Sequence, residues 1–226
     1  MRSPDLSLSD PRFSILREEI LSLEKGLDPI PEPVADRTHA AVSVVLRGRV
    51  EWELLLIKRA VAEGDPWSGQ MALPGGRRDP SDATLLQTAI RETEEETSVC
   101  LDERGVHLGR LEPMIPATIR LPPITIFPYV FAVPESTEAL VSSREVEEVL
   151  WVPLATLQDP GASSAVEIHY GDNSSRVFPC LRVDERVIWG LTYRILTGFF
   201  EILRAAGSSP EPSEPLSSQN PPATRQ

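Results

Sequence analysis

Apolar residues recur at helical spacing at both ends of this chain and in strand-length runs between them. In FSILREEILSLEKGL, Phe13, Leu16, Ile20, Leu23 and Leu27 fall three and four apart, which predicts an amphipathic helix. The following DPIPEPV reads as a stiff extended strap, because proline pushes the residue before it out of the helical region. THAAVSVVL and WELLLIKR are β-branched and leucine-rich runs separated by RGRVE, with Gly48 in the turn, and read as paired strands. ITIFPYVFAV and EEVLWVPL predict further strands, and RVFPCLRV with RVIWGL predicts a late hairpin. In LTYRILTGFFEILRAA, Leu191, Ile195, Leu196, Phe199, Ile202 and Leu203 again mark one helix face.

Mixed strands with a few helices imply an α/β or α+β domain. The expected organisation is a helix and proline strap over 1–37, one domain over 38–206, and a Ser/Pro-rich tail over 207–226 that cannot offset its ordering entropy. The first helix can pack on the domain or on a second copy of the chain, so a homodimer is an open alternative. A net charge of −12 argues against nucleic acid or an anionic membrane surface as the main partner. A small anionic substrate held through metal ions and local arginines stays compatible with that charge. With no apolar run of spanning length and no signal-peptide core at the N-terminus, a cytoplasmic location is the default expectation. Cys100 and Cys180 lie far apart without histidines at ligand spacing, and read as plain buried thiols.

The chemistry concentrates in PGGRRDPSDATLLQTAIRETEEETSV, which follows the strand-like QMAL. Gly75 and Gly76 permit a turn whose bare backbone can approach a ligand. Asp79, Pro80 and Asp82 read as the cap, first residue and third residue of a helix running to about Thr97. Leu86, Ala89, Ile90 and Thr93 form its expected buried stripe. At about 100° per residue, Glu92, Glu95 and Glu96 share another sector, while Glu94 projects elsewhere. Arg91 precedes Glu95 by one turn and can pair with it. Carboxylates crowded in this way repel one another unless a cation offsets them. A hard divalent ion, Mg²⁺ or Mn²⁺, suits an all-oxygen set and leaves positions for substrate phosphates.

These residues resemble the Nudix box, G-x5-E-x7-R-E-U-x-E-E-x-G-U, with Gly76, Arg91-Glu92, Glu95-Glu96 and Val99 in register. Asp82 stands where the first glutamate falls, one extra residue precedes Arg91, Thr93 fills the first U, and Ser98 replaces the second glycine. LLIKRAVAEGDPWSGQMALPGG resembles the motif upstream of the box in the coenzyme A diphosphatase branch. Leu55, Leu56, Arg59, Ala60, Gly69 and the Pro-Gly-Gly align there, whereas the second arginine is missing. The resemblance spans about Thr38 to Ala206. It implies a Nudix α/β/α sandwich with a mixed sheet and metal-dependent hydrolysis of a small-molecule diphosphate. For that branch the products are 3′,5′-ADP and 4′-phosphopantetheine or its acyl form. ADP-ribose or another nucleoside diphosphate derivative is an alternative substrate, and a non-catalytic nucleotide-binding or partner-binding module is an alternative of another class.

On that footing Glu92, Glu95 and Glu96, with the Gly76 carbonyl, are the expected metal ligands, and Arg91 orients the glutamates. The general base is either a glutamate of the box or one of Glu145, Glu147 and Glu148. Strand alternation places Glu145 and Glu147 on one face and Glu148 on the other. Arg59, Arg77 and Arg78 are candidates to meet substrate phosphates, and Trp67 is a candidate cover for an adenine or pantetheine group. His39, His107 and His169 lie outside the box in strand or loop settings.

Overall fold

A computed structural model describes residues 10–30, 38–48, 50–62, 67–116, 123–169 and 174–207. The DPIPEPV strap from residue 31 onward and the tail beyond 207 lie outside them. In chain order the elements are α1 (Arg12–Glu24), β1 (Thr38–Gly48), β2 (Trp52–Arg59), β3 (Met71–Ala72), β4 (Gly75–Arg77), α2 (Leu85–Thr97), α3 (Leu101–Arg104), β5 (Val106–Arg110), β6 (Ile124–Ala132), β7 (Val146–Pro153), α4 (Leu154–Gln158), β8 (Ser163–His169), β9 (Ser175–Val183), β10 (Arg186–Trp189) and α5 (Gly190–Ala205). A mixed seven-stranded sheet holds β1 to β7, and β8, β9 and β10 form a separate three-stranded antiparallel sheet.

The continuous apolar strands are buried on both faces, and alternation assigns each side chain to a layer. Val44, Leu46, Leu54, Leu56, Val130 and Ala132 join α1 and α5 in one core. Their neighbours Val45, Leu55, Tyr129, Phe131 and Val133 join α2 in another. The result is the expected helix–sheet–helix sandwich. From α1, Phe13, Leu16 and Ile20 enter the first core, and Phe13 stacks on Trp52 with ring centroids 4.2 Å apart. The stripe is shorter than its spacing predicts. The helix ends at Glu24, so Leu27 lies beyond it, and Leu23 is exposed.

The pairing of β1 positions the Gly-Gly turn. β1 pairs in parallel with β6 along one edge, and its other edge is shared. The first half, Ala40 to Val42, pairs with β4, and the last, Leu46 to Gly48, pairs with β2. β1 and β2 therefore diverge, and the segment from Met71 to Arg77 fills the gap, with β3 on β2 and β4 on β1. Ser43 N–H donates to the Pro74 carbonyl at 2.9 Å, closing the fork.

The helix after the Gly-Gly turn starts five residues later than Pro80 suggests. Thr84 is the cap, its hydroxyl accepting from Gln87 N–H. Asp79 instead closes a tight turn onto Ser81, accepting from its N–H at 2.8 Å and its hydroxyl at 2.6 Å. The later start shifts the buried stripe to Leu85, Thr88, Ala89, Thr93 and Thr97, leaving Leu86 and Ile90 half-buried. At the other end Ser98 adopts φ 57°, the left-handed region that favours glycine. Ser98→Gly is therefore expected to stabilise the protein by up to about 1 kcal/mol, read as a shift in the urea midpoint at unchanged slope.

Candidate active site

α2 is pinned to β1 by hydroxyls. Thr93 donates to Ser43 at 2.8 Å, and Ser43 donates to the Ala89 carbonyl at 3.1 Å. The far end is held by the segment before β7. Leu140 N–H donates to the Thr97 carbonyl at 2.9 Å, and Ser142 Oγ donates to the Glu95 carbonyl at 2.5 Å. These bonds satisfy carbonyls that a helix C-terminus otherwise leaves open. They also bring Glu145 to the same cavity as the box glutamates.

That cavity measures about 580 Å³ and is lined on its charged side by Arg59, Arg77, Glu92, Glu95, Glu96 and Glu145. Gly75 and Gly76 line it with backbone alone. A Cβ on Gly76 would fall 2.5 Å from the Glu92 carboxyl carbon, so the bare backbone and that carboxylate are in direct contact. Glu96 is 4% exposed and accepts a 2.9 Å bond from Gly75 N–H. Burial pushes its carboxyl up to about 7, with the neighbouring Glu92 charge adding to the rise. Burial also raises Glu92, against the pull of Arg91.

Arg91 is the hub. Its guanidinium reaches Asp82 at 2.9 Å, Glu92 at 3.0 Å and Glu95 at 3.1 Å. The predicted pairing with Glu95 is present, and the larger role of Asp82 is one that the helix-start reading hid. Asp82 is 5% exposed. It accepts from Arg91 Nε at 3.0 Å, Thr88 Oγ1 at 2.9 Å and Asp79 N–H at 2.9 Å. The Arg91 contact is the main reason its carboxyl is held down at about 2.

A depressed folded-state pKa contributes stability that is present above the unfolded value and lost as pH falls through the folded one. Asp82→Asn should therefore cost about 2 kcal/mol near neutrality. The deficit relative to the parent should shrink between the ordinary value of 3.8 and about 2. Urea unfolding of both proteins at neutral and acid pH measures it.

Several candidates are placed elsewhere. Arg78 donates to the Asp82 carbonyl at 3.0 Å and the Ala83 carbonyl at 3.2 Å, so it braces the loop and does not line the cavity. Glu147 pairs with Lys58 and Glu148 with Arg186, each at 2.7 Å. Of the three glutamates around β7, Glu145 alone lines the cavity. None of His39, His107 and His169 lines it, whereas Trp67 does. Cys180 is buried as expected, but Cys100 is partly exposed and its thiol donates to Glu94, which projects to the surface.

Among the described residues no three histidine, cysteine, aspartate or glutamate side chains converge into a ready-made metal cage. The oxygen donors are arranged openly, with Glu92 and Glu95 on Arg91 and Glu96 on a backbone N–H. An open all-oxygen set fits a hard cation that keeps several waters and reaches its remaining ligands on the substrate.

Comparison with known proteins agrees with this architecture. The family model of the NUDIX domain matches residues 37–169. The Yersinia enterocolitica protein called uncharacterized Nudix hydrolase NudL is 33% identical over 163 residues, covering 72% of this chain and 80% of its own. A crystal structure of a MutT/nudix family protein from Enterococcus faecalis superposes with a TM-score of 0.50 at 17% identity, over 90% of this chain and 76% of that one. The last likeness speaks for the fold. Together with the family model and the NudL relative, it establishes that this chain belongs to the Nudix hydrolase family.

Proposed function

We propose that this enzyme hydrolyses the diphosphate bond of coenzyme A or its acyl thioesters, giving 3′,5′-ADP and 4′-phosphopantetheine or its acyl form. The observation that carries the reading is one cavity holding four carboxylates, two arginines and the bare Gly75-Gly76 backbone. A diphosphate has close negative charges, and a wall of glutamates repels it unless cations intervene. The upstream LLIKRAVAEGDPWSGQMALPGG, with Arg59 lining the same cavity, supports coenzyme A within the diphosphate class.

Glu92, Glu95 and Glu96, with the Gly76 carbonyl, are the residues assigned to hold Mg²⁺ or Mn²⁺. Bound there, such an ion supplies neutralisation of the diphosphate and acidification of a water. Arg91 fixes the rotamers of Glu92 and Glu95, and Arg59 and Arg77 meet the phosphates. Glu145 is assigned to take the proton of the attacking water. Supporting this, Glu145 lines the same cavity as Glu92 and Glu96. Glu145→Gln is expected to lower kcat by about 10²- to 10⁴-fold with little change in Mn²⁺ affinity. An unchanged kcat rules this residue out.

The substrate assignment is tested by incubating the protein with Mg²⁺ or Mn²⁺ and a panel of coenzyme A, acetyl-coenzyme A, ADP-ribose and NADH, and weighing the products. Preferential cleavage of the coenzyme A compounds supports the reading. Cleavage of ADP-ribose alone moves the enzyme to a nucleoside diphosphate sugar, and cleavage of nothing points to a binding module.

A further inference from the structure

The cavity is chemically two-sided. The charged side chains that line it come from β2, β4, α2 and the segment before β7. Among the described residues, β6, β10 and α5 contribute no charge to it: they supply Ile124, Ile126, Trp189, Leu191, Thr192 and Ile195. Ala40, Ile124 and Ile126, with Val42 and Leu191 packed on them, form a small apolar cluster that Val42 links to the first core. Every member of that cluster lines the cavity. Ile124 and Ile126 are nearly fully buried and form the floor of this wall, while Trp189 and Leu191 are partly exposed and offer the apolar surface a ligand can cover. The Phe178 ring lies 5.4 Å from that of Trp189, tilted by 45°, and packs beside the indole. Trp189, Leu191 and Ile195 lie beyond residues 37–169, the part that matches the family model.

We propose that Trp189 and Leu191, with Ile124 and Ile126 facing them, form a slot for an alkyl chain carried by the diphosphate substrate, and that this slot sets which acyl form is preferred. An aliphatic wall favours methylenes over amides, because an amide buried without a partner loses its hydrogen bonds with water. The slot therefore receives the acyl chain, and the amides of the pantetheine arm lie nearer the polar side. The inference rests on the coenzyme A reading only for what carries the chain.

The test is equilibrium binding to the full chain of two phosphate-free probes, S-acetyl-pantetheine and S-hexanoyl-pantetheine. Since one methylene in an apolar pocket is worth about tenfold or more, the hexanoyl probe is expected to bind at least about tenfold tighter. Leu191→Asp should abolish that difference, and Leu191→Met should keep it. The acidic variant is suited to folding, because a carboxylate in the first turn of α5 favours the helix dipole. An unchanged thermal midpoint and Mn²⁺ affinity verify that the rest of the site is intact. Equal binding of the two probes, or a difference that survives Leu191→Asp, overturns the slot. If coenzyme A is not cleaved but the chain-length dependence holds, the functional reading falls and the slot stands. If coenzyme A is cleaved and the probes bind alike, the slot falls alone.

Discussion

Glu96→Gln is expected to lower metal-dependent turnover by about 10²- to 10⁴-fold, since a bound cation supplies several kcal/mol of charge stabilisation and each 1.4 kcal/mol is tenfold in rate. The fold should survive. Glutamine matches the side chain's shape, and its amide oxygen can accept the Gly75 N–H bond that Glu96 accepts at 2.9 Å. Glu96 is 4% exposed, so a carboxylate there is costly without positive charge nearby. Within the protein that cost is offset in part by one backbone N–H and by the charge of Arg59, since Arg91 is engaged with Asp82, Glu92 and Glu95. The proposed role of Glu96 as a ligand of a hard cation supplies the remaining compensation. Circular dichroism and thermal unfolding check the fold, and steady-state rates across Mn²⁺ concentrations check the chemistry. A folded Glu96→Gln protein with the parent's rate removes Glu96 from the metal site.

Alanine at Gly75 and at Gly76 should fail in different ways. Gly75 has φ +151°, and a Cβ there would sit 2.3 Å from the Ala41 carbonyl oxygen and 2.6 Å from Val42 Cα. Both are backbone atoms of β1, so β4 must leave the strand it pairs with. Overpacking of this kind costs about 1–3 kcal/mol and strained backbone about as much again, so Gly75→Ala should lower the thermal midpoint by about 4–24 °C. At Gly76 the obstructed atoms are the tip of Glu92, a side chain that can swing away. Gly76→Ala should therefore leave the midpoint nearly unchanged and reduce kcat through a displaced carboxylate. Equal thermal losses in both variants would contradict this division between a glycine for the sheet and a glycine for the site.

β1, β2 and β6 were legible as strands because their apolar runs have strand length and β-branched or leucine-rich composition. The grouping of Glu92, Glu95 and Glu96 was legible because helix geometry alone sets it. What escaped depends on tertiary contacts. β3 and β4 are two and three residues long, too short for any period, so the fork that seats Gly75 and Gly76 left only the Pro-Gly-Gly as a trace. Asp82 was read as a helix-start residue because its neighbours Asp79 and Pro80 fit that role. Its actual partner, Arg91, lies nine positions away and is reached only once the loop folds back. Ser142 carries no local signal, and Glu145, named as a candidate together with Glu147 and Glu148, could not be separated from them, since its place is set by the carbonyls at the end of α2. β8 was missed because SSAVEIH is mostly exposed and lacks a clean apolar alternation.

In the proposed reaction this cavity directs water onto a phosphorus of coenzyme A. Running the reaction in ¹⁸O-labelled water with Mg²⁺ or Mn²⁺ tests it most directly. The account predicts one labelled oxygen on the phosphoryl group of one product, 3′,5′-ADP or 4′-phosphopantetheine, and none on the other. Coenzyme A left intact, or cleaved to products without label on phosphorus, would contradict it.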